Sequence, residues 1–258
     1  MNVDPLLAFA LLFGLAGLRY LPVTVLPGLS PLGWAPLLVR IATMLSLAWL
    51  TVVALPDGYA APTVESPWLL LSAAVGELVL GTVFGLGFLV PNAAVHMSGW
   101  MMDMQAGLGA ASLFNPASAD TQESLLGQAL VLSATVLFFT LDLHLLLYRL
   151  LAASVVALPL GAARYGLDTD AFMFLLGGSF ITGLAMILPV LLGLLAVDLA
   201  VGYASRSMPQ ANIYFLALPL KIGVALGLLA LSLQYAPMLL GRLFRDGLQQ
   251  APLILRAP

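Results

Sequence analysis

The sequence contains no cysteine and only two histidines in 258 residues. Disulfides, iron–sulfur clusters and thiolate-bound zinc are thereby excluded, and cysteine usage reveals nothing about the redox compartment. Charge is almost as scarce. Only 8% of residues are charged and 62% are hydrophobic, whereas a soluble domain has about a quarter charged and about half apolar. With a mean hydropathy of +1.07, the chain lacks the polar residues that a water-facing surface requires. It reads as membrane-embedded, and the same composition excludes disorder. Nine Lys and Arg against twelve Asp and Glu give a net charge of −3. With no basic run beyond the loose group Arg242, Arg245 and Arg256, there is no electrostatic footprint for nucleic acid.

Other motifs are missing too. There is no GxxxxGK[ST] loop for nucleotide phosphates and no GxSxG nucleophile elbow. His96 and His144 have no helical partner of the HExxH kind, so no metal site, cofactor or catalytic residue is expected. Asp4 stands where a secretory signal carries a basic residue, and no small-residue cleavage site follows the Pro5–Leu18 run, so no cleaved signal is expected.

What the sequence does have is long stretches free of Asp, Glu, Lys and Arg. Leu78–Met102 has 25 such residues, Ala171–Val197 has 27, Ile222–Gly241 has 20, Ser124–Leu141 has 18 and Ile41–Pro56 has 16. A helix needs about 20 apolar residues to cross a bilayer. With Pro5–Leu26, interrupted by Arg19, these predict about six long hydrophobic helices in an all-α, membrane-type fold. Outer-membrane strands are excluded, because they would be short and alternating. Pro, Gly, Asn, Asp and Ser concentrate in 27–36, 56–67, 107–120, 159–170 and 205–212, which read as the turns. Pro91 and Pro189 should kink their helices. The GxxxG spacings Gly81–Gly85 and Gly223–Gly227 either allow close helix approach or reflect chance. For six crossings, Arg164, Arg242, Arg245 and Arg256 fall opposite Arg40 and Arg206, which places both termini in the cytoplasm.

A charge at the centre of a membrane helix costs about 3 kcal/mol on insertion scales, so Arg19, Glu77, Asp103, Asp142, Arg149, Asp198 and Lys221 need partners or water. They form an ion path, or they are ion pairs and snorkelling side chains near helix ends. The second reading is favoured, because the acids do not gather on one helix. Asp142 and Arg149, seven residues apart, share a helix face.

The segment Trp100–Asp120 (WMMDMQAGLGAASLFNPASAD) has no basic residue and is too short to span after its preceding helix. It is an ordinary connection, or a re-entrant loop whose backbone groups are met by protein or water. In the second case the flexible side chains of Met101, Met102 and Met104 are suited to sealing a channel.

The same segment carries a family resemblance. Residues 98–116, SGWMMDMQAGLGAASLFNP, followed by Leu126-Gly127-Gln128, resemble the central signature of the FliR family of flagellar biosynthetic proteins. Glu77 with Gly81 and Gly85 is similar to its E-x-x-x-G-x-x-x-G helix, and Leu141-Asp142-Leu143-His144 to its L-N-G-H segment. Ser205–Ile213, with Pro209, Gln210 and Asn212, and Leu218–Lys221, with Pro219, resemble its S-R-x-x-P-Q-x-N and P-L-K elements. The likeness covers about residues 5–245; Asp142-Leu143 replaces the commoner Asn-Gly, and Leu86 a usual Phe.

The resemblance implies one export-gate domain over residues 1–258, with N-terminal helices in 1–104, a pore plug in 105–121, C-terminal helices in 122–245 and a tail in 246–258. It implies a conduit in the bacterial inner membrane and flagellar basal body, partly on the periplasmic side, and no enzyme. The implied partners are FliP and FliQ, with one copy of this chain, together with FlhB, FlhA, membrane lipid and the exported unfolded flagellar proteins. Within the plug, Gln105 marks the start, Gly107 and Gly109 are the expected hinges, Phe114 and the nearby methionines the occlusion, and Asn115-Pro116 a fixed turn. Glu77 and Lys221 are expected to pair with neighbouring subunits. Pro209, Gln210 and Asn212 are expected to form the turn between the last two helices and a subunit contact. Two alternatives remain: the corresponding SctT subunit of a virulence injectisome, and a small-solute secondary transporter with kinked helices and midplane charges. The second is disfavoured by the lack of an internal repeat.

Overall fold

The computed structural model describes residues 5–56, 59, 66–108, 124–161, 166–207 and 213–256. Among them the fold is all-α. The helices are α1 (Pro5–Thr24), α2 (Leu37–Val53), α3 (Pro67–Ala106), α4 (Leu125–Thr140), α5 (Leu143–Ala157), α6 (Thr169–Ser207), α7 (Ile213–Ser232) and α8 (Ala236–Gln250). A 3-10 turn at Ala251–Ile254 leads into a two-residue strand, Leu255–Arg256, paired antiparallel with Gly166–Leu167.

By length and apolarity α1, α3 and α6 can each cross a membrane, and up to five spans result if the bent pairs α4–α5 and α7–α8 each count as one. The expected six crossings are thus replaced by three to five. The 17-residue α2 is too short to count, and each bent pair counts at most once. The interval Ile222–Gly241 is broken by a turn at Leu233–Tyr235, and α5 lies in a stretch that Asp142 and Arg149 had interrupted. Asp142 adopts φ 55 at the start of α5, a left-handed conformation that short polar side chains tolerate better than branched ones. Pro91 and Pro189 lie inside continuous helices.

The chain divides into two compact units. The first comprises residues 1–90, 142–176 and 244–258. Its α1 and α2 pack through Phe9, Phe13 and Trp49, with Trp49 edge-on to Phe9 at a centroid distance of 5.1 Å. Val83, Val90, Leu175 and Ile254 form a buried cluster, and Phe88 stacks on Phe244 at 5.6 Å. Such burial supplies the non-directional part of the stability.

The second unit comprises residues 91–141 and 177–243. Here glycines set the helix spacing. A Cβ on Gly183 would lie 3.1 Å from the Ala94 carbonyl oxygen, and one on Gly99 would lie 2.7 Å from the Gly127 nitrogen. Close backbone approach of this kind is how helices associate where apolar surroundings give no hydrophobic drive.

Candidate functional site

In the first unit, the E-x-x-x-G-x-x-x-G face of α3 is a docking surface for α1. A Cβ on Gly81 would overlap the Arg19 carbonyl and lie 2.9 Å from Pro22 Cδ, and one on Gly85 would lie 2.9 Å from the Leu29 side chain. This approach delivers the Arg19 side chain to Glu77, one turn before Gly81. Arg19 Nε donates to Glu77 Oε2 at 2.5 Å and Nη2 to Oε1 at 3.1 Å. Both residues are almost completely buried, at 0% and 1% exposure. The rest of the guanidinium is used on the end of α5: Nη1 donates to Ser154 Oγ at 3.1 Å and Nη2 to the Leu158 carbonyl at 2.9 Å. A cation there also complements the negative end of the helix dipole. Glu77 Oε1 accepts in addition from the Gly161 N–H at 2.8 Å, and Gly161 has φ 83. One carboxylate and one guanidinium thus join α1, α3 and the chain after α5.

In the second unit, the structure describes the two ends of the segment that reads as a plug. The incoming end is the last turn of α3, terminated by Gly107 at φ 82, whose N–H donates to the Met104 carbonyl at 3.2 Å. That positive φ is the αL stop that glycine provides after a helix. The outgoing end is the start of α4, where Ser124 Oγ accepts from the Gly127 N–H at 2.9 Å as an N-cap. Asp103 ties the two ends together. Its carboxylate accepts from the Ser124 hydroxyl and from the Leu126 N–H, at 3.2 Å to Oδ1. A negative side chain beside the first turn of α4 is favoured by the helix dipole. Alongside, Gly99 and Gly127 let the two backbones touch. The residues on either side of the segment therefore meet at one base.

The helical step of about 100° separates the methionines. Met102 is fully buried within the chain, at 0% exposure. Met101 and Met104, three residues apart, share a face and line a pocket of about 430 Å³ with Trp100, Gln105, Leu191, Leu192 and Leu195. Gln105 Nε2 donates to Asp198 Oδ2 at 3.1 Å, and the other Asp198 oxygen pairs with Lys221. Glu77 and Lys221, expected to pair with neighbouring subunits, each find a counter-charge inside this chain. Arg19, Asp103 and Asp198 were legible only as costly charges; their partners lie 21 or more residues away in sequence.

Of the other residues singled out, Gly109, Phe114, Asn115, Pro116, Pro209, Gln210 and Asn212 lie outside the described residues. Residues 208–212 stand between α6 and α7, not between the last two helices, which are α7 and α8. Pro219 is exposed within α7, and Asp142 is an exposed turn residue. Among the described residues no atom lies within 4 Å of a Cβ on Gly223 or Gly227, so this second GxxxG face is open there. Among the described residues no cluster of three or more His, Asp or Glu could hold a metal ion.

The model of the family described as bacterial export proteins, family 1, matches residues 10–247. The flagellar biosynthetic protein FliR of Pectobacterium carotovorum is 31% identical over 187 residues, covering 71% of this chain and 69% of the relative. The chain belongs to the FliR family of bacterial export proteins. The FliR of Escherichia coli K12 is 33% identical over 160 residues, 61% of this chain and 60% of the relative. The Yop proteins translocation protein T of Yersinia pestis is 27% identical over 226 residues, 86% of this chain and 84% of the relative. As a FliR-family chain with long apolar helices, it is a membrane component of a type III export apparatus and works with other export subunits. The Arg19–Glu77 contact and the Asp103-closed base both fall inside the matched region.

Proposed function

We propose that the chain is a core subunit of the flagellar type III export gate, a conduit and not an enzyme. On this reading it forms with FliP and FliQ the channel through which unfolded flagellar proteins leave, joined by FlhB and FlhA in the bacterial inner membrane. Residues 105–121 act as a plug that keeps the pore closed until substrate arrives. The observation that carries this reading is the closed base. Asp103, Ser124, Gly99 and Gly127 hold both ends of the segment at one point, which supplies the fixed stem that a plug requires. The pocket wall of Trp100, Met101 and Met104 beside that stem offers an adaptable apolar surface.

The same geometry makes the test clean. Because Asp103 already touches Ser124, removing residues 109–121 leaves a short link that need not strain the stem. Co-expressed with its neighbours, this deletion should assemble at the wild-type mass and dissipate an imposed proton gradient in inverted vesicles faster. An intact assembly with an unchanged gradient refutes the plug.

A second reading, the corresponding subunit of a virulence secretion system, is favoured by the longer reach of the Yersinia likeness, 86% of this chain. Restoration of motility in a strain lacking the flagellar subunit decides for the first reading, and restoration of effector secretion alone decides for the second.

A further inference from the structure

Gln105 is the last polar side chain of α3 before Gly107, and its amide is held by Asp198 of α6 at 3.1 Å. Asp198 has one oxygen on Gln105 and the other on Lys221 of α7. On the same face of α7, three residues before Lys221, Leu218 stands where a Cβ on Gly107 would be, 2.7 Å from its Cδ1. One turn of α7 therefore meets the end of α3 twice, by Leu218 directly and by Lys221 through Asp198. The Asp198 side chain is 36% exposed and that of Lys221 15%, so water reaches the cluster and the contact can exchange. Beside it, the pocket of about 430 Å³ between α3 and α6 leaves room for the last turn of α3 to shift.

We propose that Asp198 is the positioning residue of a latch, Gln105–Asp198–Lys221, which fixes the last turn of α3 in the closed position and so sets how often the seal opens. This inference rests on the reading of residues 105–121 as a seal. Asp103 closes the base of the segment, whereas Asp198 fixes where that base stands against α6 and α7. The two carboxylates have separable effects. Loss of the charge at Asp198 leaves Gln105 an acceptor but removes the hold of Lys221. A hydrogen bond to a charged group contributes more than a neutral one, and the population of a minor open state rises about tenfold for each 1.4 kcal/mol lost.

The test uses the full chain in its assembled complex. Asp198→Asn and Lys221→Met should each dissipate an imposed proton gradient about tenfold faster while the complex keeps its mass. The paired exchange Asp198→Lys with Lys221→Asp restores opposite charges, and the Gln105 amide can turn its oxygen to the new ammonium, so leakage should return toward wild type. A second readout exploits the absence of native cysteine. A lone Leu108→Cys, one residue beyond Gly107, should react faster with a membrane-impermeant thiol reagent in the Asp198→Asn background. Wild-type leakage and labelling in both single variants overturn the latch, as does loss of assembly, which would make the pair structural only. Failure of the exchange to lower leakage overturns it too. If the 109–121 deletion leaks and the latch variants do not, the latch alone fails; if the deletion does not leak, the seal itself fails.

Discussion

Replacing Glu77 by alanine removes the carboxylate that Arg19 faces and leaves a guanidinium at 0% exposure with, among the described residues, Ser154 Oγ and the Leu158 carbonyl as its remaining partners. Two charge-assisted hydrogen bonds are lost, and the Gly161 N–H loses its acceptor. Breaking a buried ion pair by removing one partner costs about 3–5 kcal/mol, because the surviving charge stays desolvated. Against the usual stability of about 5–15 kcal/mol this is a large fraction. At about 2–4 °C per kcal/mol for a chain of this size, the melting temperature should fall by about 6–20 °C. Arg19→Met should do similar damage for the opposite reason, since it strands the carboxylate. The combination Arg19→Met with Glu77→Leu removes both charges together and should recover most of the loss, as buried pairs exchanged for apolar residues of similar volume often do. A deficit of about 1–3 kcal/mol should remain, because the Leu158 carbonyl and the Gly161 N–H lose their partners. The assay is a thermal melt of the purified complex in one detergent at one heating rate, read as loss of assembled mass, since membrane assemblies unfold irreversibly. Single variants that melt with wild type, or a double variant worse than both singles, would refute the argument.

Two further outcomes follow from local geometry. Gly81→Leu should abolish assembly, because its side chain would displace the α1 backbone at Arg19, whereas Gly223→Ala should leave the melting of the chain unchanged, since nothing stands within 4 Å; equal behaviour of the two would contradict the packing. At Asp142, with φ 55, Asp142→Gly should melt at or slightly above wild type, and Asp142→Val should lose about 1–2 kcal/mol from forcing a branched residue into the left-handed region. A thermal melt that ranks valine level with glycine would refute that assignment.

The helices were legible wherever membrane composition and length agree. Leu78–Met102 falls inside α3 and Ala171–Val197 inside α6, yet both helices run on past the charges that bounded the intervals. Glu77 and Asp103 were legible as costly charges that need partners, but the partners were not, because they are tertiary: Arg19 is 58 residues from Glu77, and Ser124 is 21 from Asp103. The same rule hid α5, where Arg149 stands exposed and Asp142 belongs to the turn. It also fused α7 with the start of α8, although Pro237, in the first turn of α8, was a start signal present in the sequence. GxxxG spacing could not discriminate its two instances. Gly81–Gly85 is filled by α1 and by Leu29 just after it, Gly223–Gly227 is open among the described residues, and the spacing of small residues is identical in both.

The scarcity of charge itself has a structural logic. In an apolar environment, leucine against lipid and leucine against another helix differ little in free energy, so a largely aliphatic chain has weak means of choosing one helix arrangement over another. Each of three carboxylates makes such a choice. Glu77 joins α1, α3 and the residues after α5; Asp103 joins α3 to α4; Asp198 joins α3, α6 and α7. Every one of them draws donors from at least two residues, which is the condition for a buried or half-buried carboxylate to be stable rather than a defect. Glu77 and Asp103 belong to α3 and Asp198 bonds to it, and α3 is the helix that leads into the segment of residues 105–121. The polar contacts are therefore concentrated where register matters most, since a shift of α3 by one residue would rotate Glu77, Asp103 and Gln105 away from their partners together, by about 100°.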